Sequence, residues 1–511
     1  MRSILWAIVA AFPFVATAQA ADLEGTWVYD TTHRAIQPWK GDADSVVIRI
    51  VFKKEHGVLT GIYIGTMGNF PLSNLTVHDN KVSFETHYFA DETVSSHGKL
   101  SGNDLLMQEG SEEALYHRAT PGDLKRIAAA PVYSFKKIPL PALRDVPTNG
   151  LALTPPMGLG NWTEANDKTV RQTADLLVAN GMRDAGYVYI QIDEGWQGRR
   201  DAQGNLHSNG RFPDMKALAD YLHARGFKLG VYSSPGPMAC YGYSGSHGHE
   251  EQDAKTFAAW GVDYLKYDWC SADTLYHTES EMRAAYQKMG AALEASGRPI
   301  LFGLCQYGWY DVGSWGKNAG GDLWRTSDDI ANNWTSMSFN GFDLNGDPGN
   351  AGPGHWNDPD DLQVGKKGLT AREQRTQMTL WSVMAAPLII EMYGGNDIAK
   401  WSPEIREIAL NREVIAIDQD KLGVQGQRVL RKGLSEVWTK RLKGNAIAVA
   451  VFNRGDYIKQ SVRFRWADIG LENVKGVRDL WQHRDVDGAS DSYEASIPPH
   501  GSVLLRVTTA Q

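Results

Sequence analysis

The chain has 511 residues, 42% hydrophobic and 22% charged, with 52 lysines and arginines against 60 aspartates and glutamates. That length is more than one hydrophobic core can serve and predicts about two to four domains. A net charge of −8 without any basic tract argues against a nucleic-acid partner, and beyond the N-terminal leader no apolar run is long enough to span a membrane.

The first element is that leader. Arg2, an apolar run from Ile4 to Val15 and Ala18-Gln19-Ala20 ahead of Ala21 have the layout of a signal peptide, residues 1–20, cleaved after Ala20. Export is therefore expected, periplasmic or secreted, into a compartment where cysteines pair. Residues 21–120 predict a small antiparallel β domain. Val46–Phe52 and Val58–Ile64 read as strands around a turn at Gly57, and Asp79-Asn80 and Ser101–Asp104 punctuate later hairpins. Nothing in this accessory domain suggests catalysis. Pro121, Pro131, Pro139, Pro141 and Pro147 then predict an extended linker over residues 121–150.

From 151 to 424 strands alternate with helices. The predicted strands are Met157–Trp162, Tyr187–Asp193, Lys228–Ser233, Val262–Asp268, Ile300–Cys305, Leu323–Ser327, His355–Asp358 and Pro387–Met392. Amphipathic stretches lie between them, such as Met215–Arg225 and Ala254–Trp260, the latter closed by Gly261, and Thr370–Glu373 is a capping box. Eight such units predict an α/β fold, a (β/α)₈ TIM barrel. Residues 425–511, with strand-like Ala446–Phe452, Val477–Trp481 and Ser502–Val507, predict a C-terminal antiparallel β-sandwich.

In such a barrel the chemistry sits where the strands end. Here those ends read Asp193-Glu194, Tyr232-Ser233-Ser234, Lys266-Tyr267-Asp268, Gln306-Tyr307, Arg325 through Asp329, and Trp356 through Asp361. Lys266 and Asp268 share a face of their strand, as a structural ion pair or as a nucleophile beside a ligand-binding lysine. A carboxylate-lined, aromatic-rich mouth with one lysine suits sugar hydroxyls, and two of the carboxylates could cleave a glycosidic bond. A catalytic metal is disfavoured because histidines at ligand spacing are missing and Lys266 would repel a cation. Asp343–Asp347 resembles a calcium loop with its glycine misplaced and reads as a polar turn.

Several of these segments carry a family resemblance: Leu151–Gly158, Gly248–Phe257, Tyr264–Cys270, Trp324-Arg325-Thr326, Gly352–Asp360 and Asn411–Gln427. Together, over about residues 150–505, they resemble glycoside hydrolase family 27, the α-galactosidases and their relatives. The resemblance implies retaining hydrolysis without cofactor or metal. Asp268 would be the nucleophile and Asp329 the acid/base, with Asp193, Glu194, Tyr232, Lys266, Gln306, Arg325 and Asp360 around a galactose-like sugar. Strand alternation leaves Asp328 and Asp329 as alternatives, and the family pattern selects Asp329. Lys266 is expected to keep Asp268 ionised, and the charge of Asp268 to keep Asp329 protonated. The two carboxyl groups are expected about 5–5.5 Å apart. The resemblance also implies a Cys240–Cys270 disulfide, which leaves Cys305 as a buried thiol.

Four positions depart from the family pattern: Leu159, Glu194, Gln306 and Asp361. Leu159 is read as removing an aromatic wall. Glu194 is read as intruding on the sugar's space, a change that family members favouring β-L-arabinopyranosides share, with about 1–3 kcal/mol of discrimination. The expected activity is release of terminal α-D-galactose from an oligosaccharide or polysaccharide side chain. β-L-arabinopyranosidase activity is next, followed by transglycosylation and by sugar binding without catalysis.

Overall fold

The computed structural model describes residues 23–30, 44–88, 92–109, 112–489 and 491–510, so the leader predicted over residues 1–20 lies outside the described residues. The chain divides into two compact units, Met1–Val132 and Tyr133–Gln511.

The first unit contains strands β1 (Gly25–Tyr29), β2 (Arg49–Glu55), β3 (Val58–Ile64), β4 (Asn69–Pro71), β5 (Ser73–His78), β6 (Lys81–Tyr88), β7 (Glu92–Ser101), β8 (Asp104–Glu109) and β9 (Glu112–Arg118). They form one sheet in the order β4-β3-β2-β1-β9-β8-β7-β6-β5. Alternation builds its core: Ile50 and Phe52 of β2, Phe84 of β6, and Leu105 and Met107 of β8 pack around Trp27. Pro121–Ala129 is a helix, where the prolines predicted an extended linker. The reason is local: proline fits the first helical position, and Thr120 and Asp123 form a capping box. From 131 to 149 the chain has no regular secondary structure, as expected of a connection.

The second unit holds the barrel. Its strands are β10 (Met157–Gly160), β11 (Tyr189–Gln191), a side hairpin β12 (Gln197–Arg200) and β13 (Leu206–Ser208), then β14 (Lys228–Ser233), β15 (Tyr264–Asp268), β16 (Leu301–Cys305), β17 (Leu323–Arg325), β18 (Trp356–Asp358) and β19 (Leu388–Glu391). Eight of them form a parallel sheet, β18-β17-β16-β15-β14-β11-β10-β19. A parallel bridge from Leu362, just after β18, to Ile390 closes the ring. Every predicted strand is present, Lys228–Ser233 with the predicted bounds and the others shortened by one to four residues. The floor of the barrel is a cluster of Tyr189, Tyr264, Leu301, Leu323 and Trp356. Register places Tyr264 beside Leu301 and Leu301's inward successor Gly303 beside Leu323, so polar residues further along the same inward rows collect at the other end.

The C-terminal part contains β20 (Gln427–Lys432), β21 (Ser435–Arg441), β22 (Ala446–Asn453), β23 (Gln460–Arg465), β24 (Val474–Asp479), β25 (Arg484–Asp485), β26 (Ser492–Ile497) and β27 (Ser502–Thr509). A six-stranded and a two-stranded antiparallel sheet enclose a second core that includes Val449, Phe464, Trp466 and Leu505. The inner face of the larger sheet shares the barrel's core: Phe342 packs edge-on against Phe452 at 5.0 Å and Trp438 at 6.1 Å. The buried Lys440 ammonium donates to the carbonyls of Ser382, Ile417 and Asp418, capping the ends of two barrel helices from the sandwich side. Asp343, in the polar turn, is held by Arg454.

Candidate active site

Asp268 ends β15 with its side chain 6% exposed. Three donors hold its carboxylate: the hydroxyls of Tyr232 (3.0 Å) and Tyr307 (2.6 Å) and the backbone N–H of Trp269 (2.8 Å). Lys266, one inward step earlier on the strand, does not contact it. Its ammonium donates to Asn161 Oδ1 at 2.8 Å and pairs with Asp193 at 3.2 Å. The Lys266–Asp268 ion pair considered from strand spacing is therefore a Lys266–Asp193 pair, because register brings β15 beside β14 and β11 across the mouth.

On the next two strands Arg325, 3% exposed, reaches Asp329 with one terminal nitrogen (3.0 Å) and Asp360 with the other (3.0 Å). Asp360 sits at φ +85°, and its second tie is the N–H of Ile330 at 2.7 Å. Arg325 thus links the β17 and β18 loops and orients Asp329, whose side chain is 77% exposed at the rim. Two carboxyl groups of opposite accessibility result, one sealed at the floor of the mouth and one open to solvent.

Their protonation also differs. Burial raises the Asp268 pKa; Lys266 and the Tyr307 hydrogen bond counter this only in part, and Asp329 and Asp193 add to it. At Asp329 the surrounding protein pushes the pKa up, but Arg325 and Lys266 together outweigh that and hold the carboxyl below its usual range. The expectation from sequence was the reverse. It failed because burial of Asp268 outweighs Lys266 and because the nearest charge to Asp329 is a guanidinium. Burial opposes the Lys266 ammonium as well, yet Asp193, with Asp268 and Asp361, keeps its pKa well above the ordinary value.

Asp193, Glu194, Tyr232, Lys266, Gln306, Arg325 and Asp360 all gather at this end of the barrel, but two of them are turned to the protein itself. Gln306 accepts from the N–H of Gly308 (2.7 Å) and donates to the carbonyl of Arg325 (3.3 Å), bracing its loop against β17. Glu194, 1% exposed, accepts the N–H groups of Tyr241 (2.7 Å) and Tyr243 (3.1 Å). Its extra methylene carries the carboxylate to the loop after β14 and not into the sugar's space, a correction to the sequence reading. Alternation explains this, since Asp193 faces inward and its neighbour must face away. Glu194→Gln leaves one of those N–H groups without its acceptor and is expected to cost about 1–3 kcal/mol, read as a lowered urea midpoint.

The same loop is tied a second time. Cys240 and Cys270 form a disulfide, and Cys270 lies 3.4 Å from the Tyr232 hydroxyl, so the bridge backs the Asp268 site. Cys305 is free and buried, with Arg325 3.6 Å from its sulfur. Among the described residues the close group of metal-ligand types is Cys240, Asp268 and Cys270, and its two sulfurs are bonded to each other. It offers no thiolate to an ion.

Leu159 also differs from expectation. It pairs with Ile190 and Ile390 and belongs to the helix-facing core, so it cannot wall the mouth. Gly158 and Gly160 face inward instead; a Cβ on Gly158 would lie 2.2 Å from the Tyr189 carbonyl, and one on Gly160 2.5 Å from Ile389 and 3.0 Å from Asp361 Oδ2. Asp361 thus faces β10 across the barrel, and burial, reinforced by Asp360, raises its pKa well above the ordinary value. Sequence reasoning passed over two contacts, Tyr307 and Asn161. Tyr307 lies past the end of β16 on a left-handed turn, so strand alternation did not reveal it. Asn161, at φ +51° after β10, gave no signal.

Comparison with known proteins places the chain in a family. The family profile described as Alpha galactosidase A matches residues 163–420, half of the chain, and the Alpha galactosidase C-terminal beta sandwich domain matches 432–507. The chain belongs to the α-galactosidase family, and it is a glycoside hydrolase. It is 43% identical over 375 residues to the α-galactosidase of Cyamopsis tetragonoloba, covering 71% of this chain and 89% of that protein. Among solved structures, α-galactosidase I from Mortierella vinacea is 31% identical with a TM-score of 0.66 and covers 71% of this chain and 100% of its own. A Bacteroides fragilis NCTC 9343 protein assigned to the α-galactosidases/melibiases is 28% identical with a TM-score of 0.67, covering 97% of this chain and 100% of its own. Family membership rests on the barrel and sandwich. Among the described residues no helix is long and apolar enough to cross a membrane.

Proposed function

We propose that this protein is an exported, exo-acting α-galactosidase that releases terminal α-D-galactose with retention of configuration. The observation that carries the reading is the unequal carboxyl pair, Asp268 sealed and tyrosine-held and Asp329 exposed and arginine-held. In the first step a carboxylate oxygen of Asp268 attacks the anomeric carbon and the bond to the leaving oxygen breaks as Asp329 protonates it. In the second, Asp329 takes a proton from water, the water oxygen bonds to the same carbon, and the ester to Asp268 breaks. The proton balance closes without metal or cofactor. Lys266, Asp193 and Asp360 are placed to bind the sugar's hydroxyls, and the disulfide together with the leader in residues 1–20 supports export.

β-L-arabinopyranosidase activity loses the argument that favoured it, since the Glu194 carboxylate is bound to the Tyr241–Tyr243 backbone. Side-by-side turnover of an aryl α-D-galactoside and an aryl β-L-arabinopyranoside tests the choice. Faster cleavage of the galactoside, with the α-anomer of galactose as first product by NMR, is expected; a faster arabinoside or a β-anomer overturns it.

Tyr307→Phe probes the nucleophile's environment. The hydroxyl stabilises the ionised carboxylate, so its loss raises the Asp268 pKa further. Because the proton on Asp268 is the last to leave the pair, the alkaline limb of the kcat/KM profile moves to higher pH and the reactive fraction shrinks, with about a 10- to 100-fold loss at the optimum. An unmoved limb would show that Tyr307 does not act on the nucleophile.

A further inference from the structure

The loop after β16 is held in an uncommon backbone shape. Tyr307, Gly308, Tyr310 and Asp311 have φ of +62°, +82°, +54° and +48°, a region that side chains other than glycine adopt only where the surroundings impose it. Those surroundings are present. The Gly308 N–H donates to Gln306, the Trp315 indole donates to the Tyr310 carbonyl (2.9 Å), and the Tyr310 hydroxyl donates to His277 (3.1 Å). A Cβ on Gly308 would lie 2.4 Å from the Thr326 carbonyl, so this loop is pressed against the one that leads to Asp329.

What the distorted turn achieves is a division of two rings. Tyr307 turns in to Asp268, while Trp309 turns out, 40% exposed, with its ring edge-on to Tyr307 at 5.8 Å. The Trp309 indole N–H has no partner among the described residues. A large aromatic side chain left in water on a braced loop contributes little to packing. Its place does point to a ligand. The sugar under attack must lie over Asp268 among buried polar groups, and Trp309, in ring contact with Tyr307, stands one ring further out on the solvent side, where Asp329 is also exposed. The group leaving with a proton from Asp329 departs on that side.

We propose that Trp309 is the platform of the leaving-group subsite: the pyranose ring of the next sugar lies with its apolar C–H face on the indole, and the indole N–H donates to one of that sugar's hydroxyls. This rests on the glycosidase reading of Asp268 and Asp329. It names the natural substrate as an oligosaccharide or polymer side chain whose second unit is a pyranose.

The test compares leaving groups on one glycone. Wild type, Trp309→Ala and Trp309→Phe are assayed on α-galactosyl fluoride, whose leaving group has no ring, and on an α-galactosyl-(1→6)-hexose disaccharide; the arabinosyl counterparts replace them if wild type prefers that glycone. The ratio of kcat/KM for disaccharide over fluoride is expected to fall roughly 5- to 10-fold in Trp309→Ala, mainly through KM, and to recover in part in Trp309→Phe. Tyr457→Ala, which removes a 90% exposed aromatic from the C-terminal sandwich, leaves the ratio unchanged. An unchanged ratio in Trp309→Ala overturns the platform. So does an equal loss on both substrates, which would mean that the residue only supports its loop. Wild type inert toward both fluorides overturns the glycosidase reading itself.

Discussion

Asp268→Asn is expected to lower kcat by about 10⁴-fold or more on any glycoside the wild type cleaves, because an amide does not form the glycosyl ester. The variant should fold normally. Asparagine keeps the size of the side chain and an oxygen for the Trp269 N–H, and the tyrosine hydroxyls can rotate to suit it. Stability gives a second readout with a definite sign. The folded pKa of Asp268 is raised, so its ionisation costs stability, and that cost grows as pH rises above the unfolded value, about 3.9. Removing the carboxylate removes this loss. Relative to wild type, the Asp268→Asn melting temperature should be higher at pH 7 than at pH 3.5, where both side chains are neutral. Turnover surviving in the variant would remove Asp268 from the role of nucleophile, whatever the melting curves show.

Asp329→Asn has the second largest expected effect, and its size depends on the leaving group. With a sugar leaving group, loss of the proton donor should lower kcat/KM by about 10²- to 10⁴-fold. With fluoride the bond breaks without such help, and the first step should be nearly intact. The second step still lacks its base, so a burst followed by slow turnover is expected. The pH profile separates this from a folding defect. In wild type the pair shares its protons, and both limbs of the bell belong to the pair. The empty site favours the proton on Asp268, whereas reaction needs it on Asp329, so the reactive form is the minor singly protonated one. The variant loses the alkaline limb, having no acid left to ionise. Its remaining acid limb lies at higher pH than in wild type, because the wild-type acid limb reports chiefly Asp329 losing its proton and the variant's reports Asp268 alone. A profile that kept its alkaline limb would contradict the assignment.

The order and type of the barrel strands were readable in the chain because each is a short apolar run set between an amphipathic helix and a polar end, and that local pattern survives folding. The same alternation that makes a strand readable also accounts for the inward row Tyr264, Lys266, Asp268, but not for Tyr307, which a left-handed turn beyond β16 brings to Asp268. Pro121–Ala129 was misread because proline marks both an extended linker and the first turn of a helix. Leu159 and Glu194 were misread for another reason. A substitution relative to a family pattern says that something changed, but only the direction of the side chain says whether the sugar would meet it. Leu159 points to the helices, and Glu194 bonds to a loop 47 residues further along the chain.

Sequence was sufficient for the order of the barrel strands and the family, since these depend on residues near one another in the chain or on motifs. It could not assign partners to the charges. Lys266 lies two positions from Asp268, yet it pairs with Asp193, 73 residues away; Arg325 joins Asp329 to Asp360 across two loops. Closing the barrel brings the ends of eight strands into one small, poorly hydrated space. There a carboxylate's protonation follows from its nearest charge and its remaining water, both set by register and loop path.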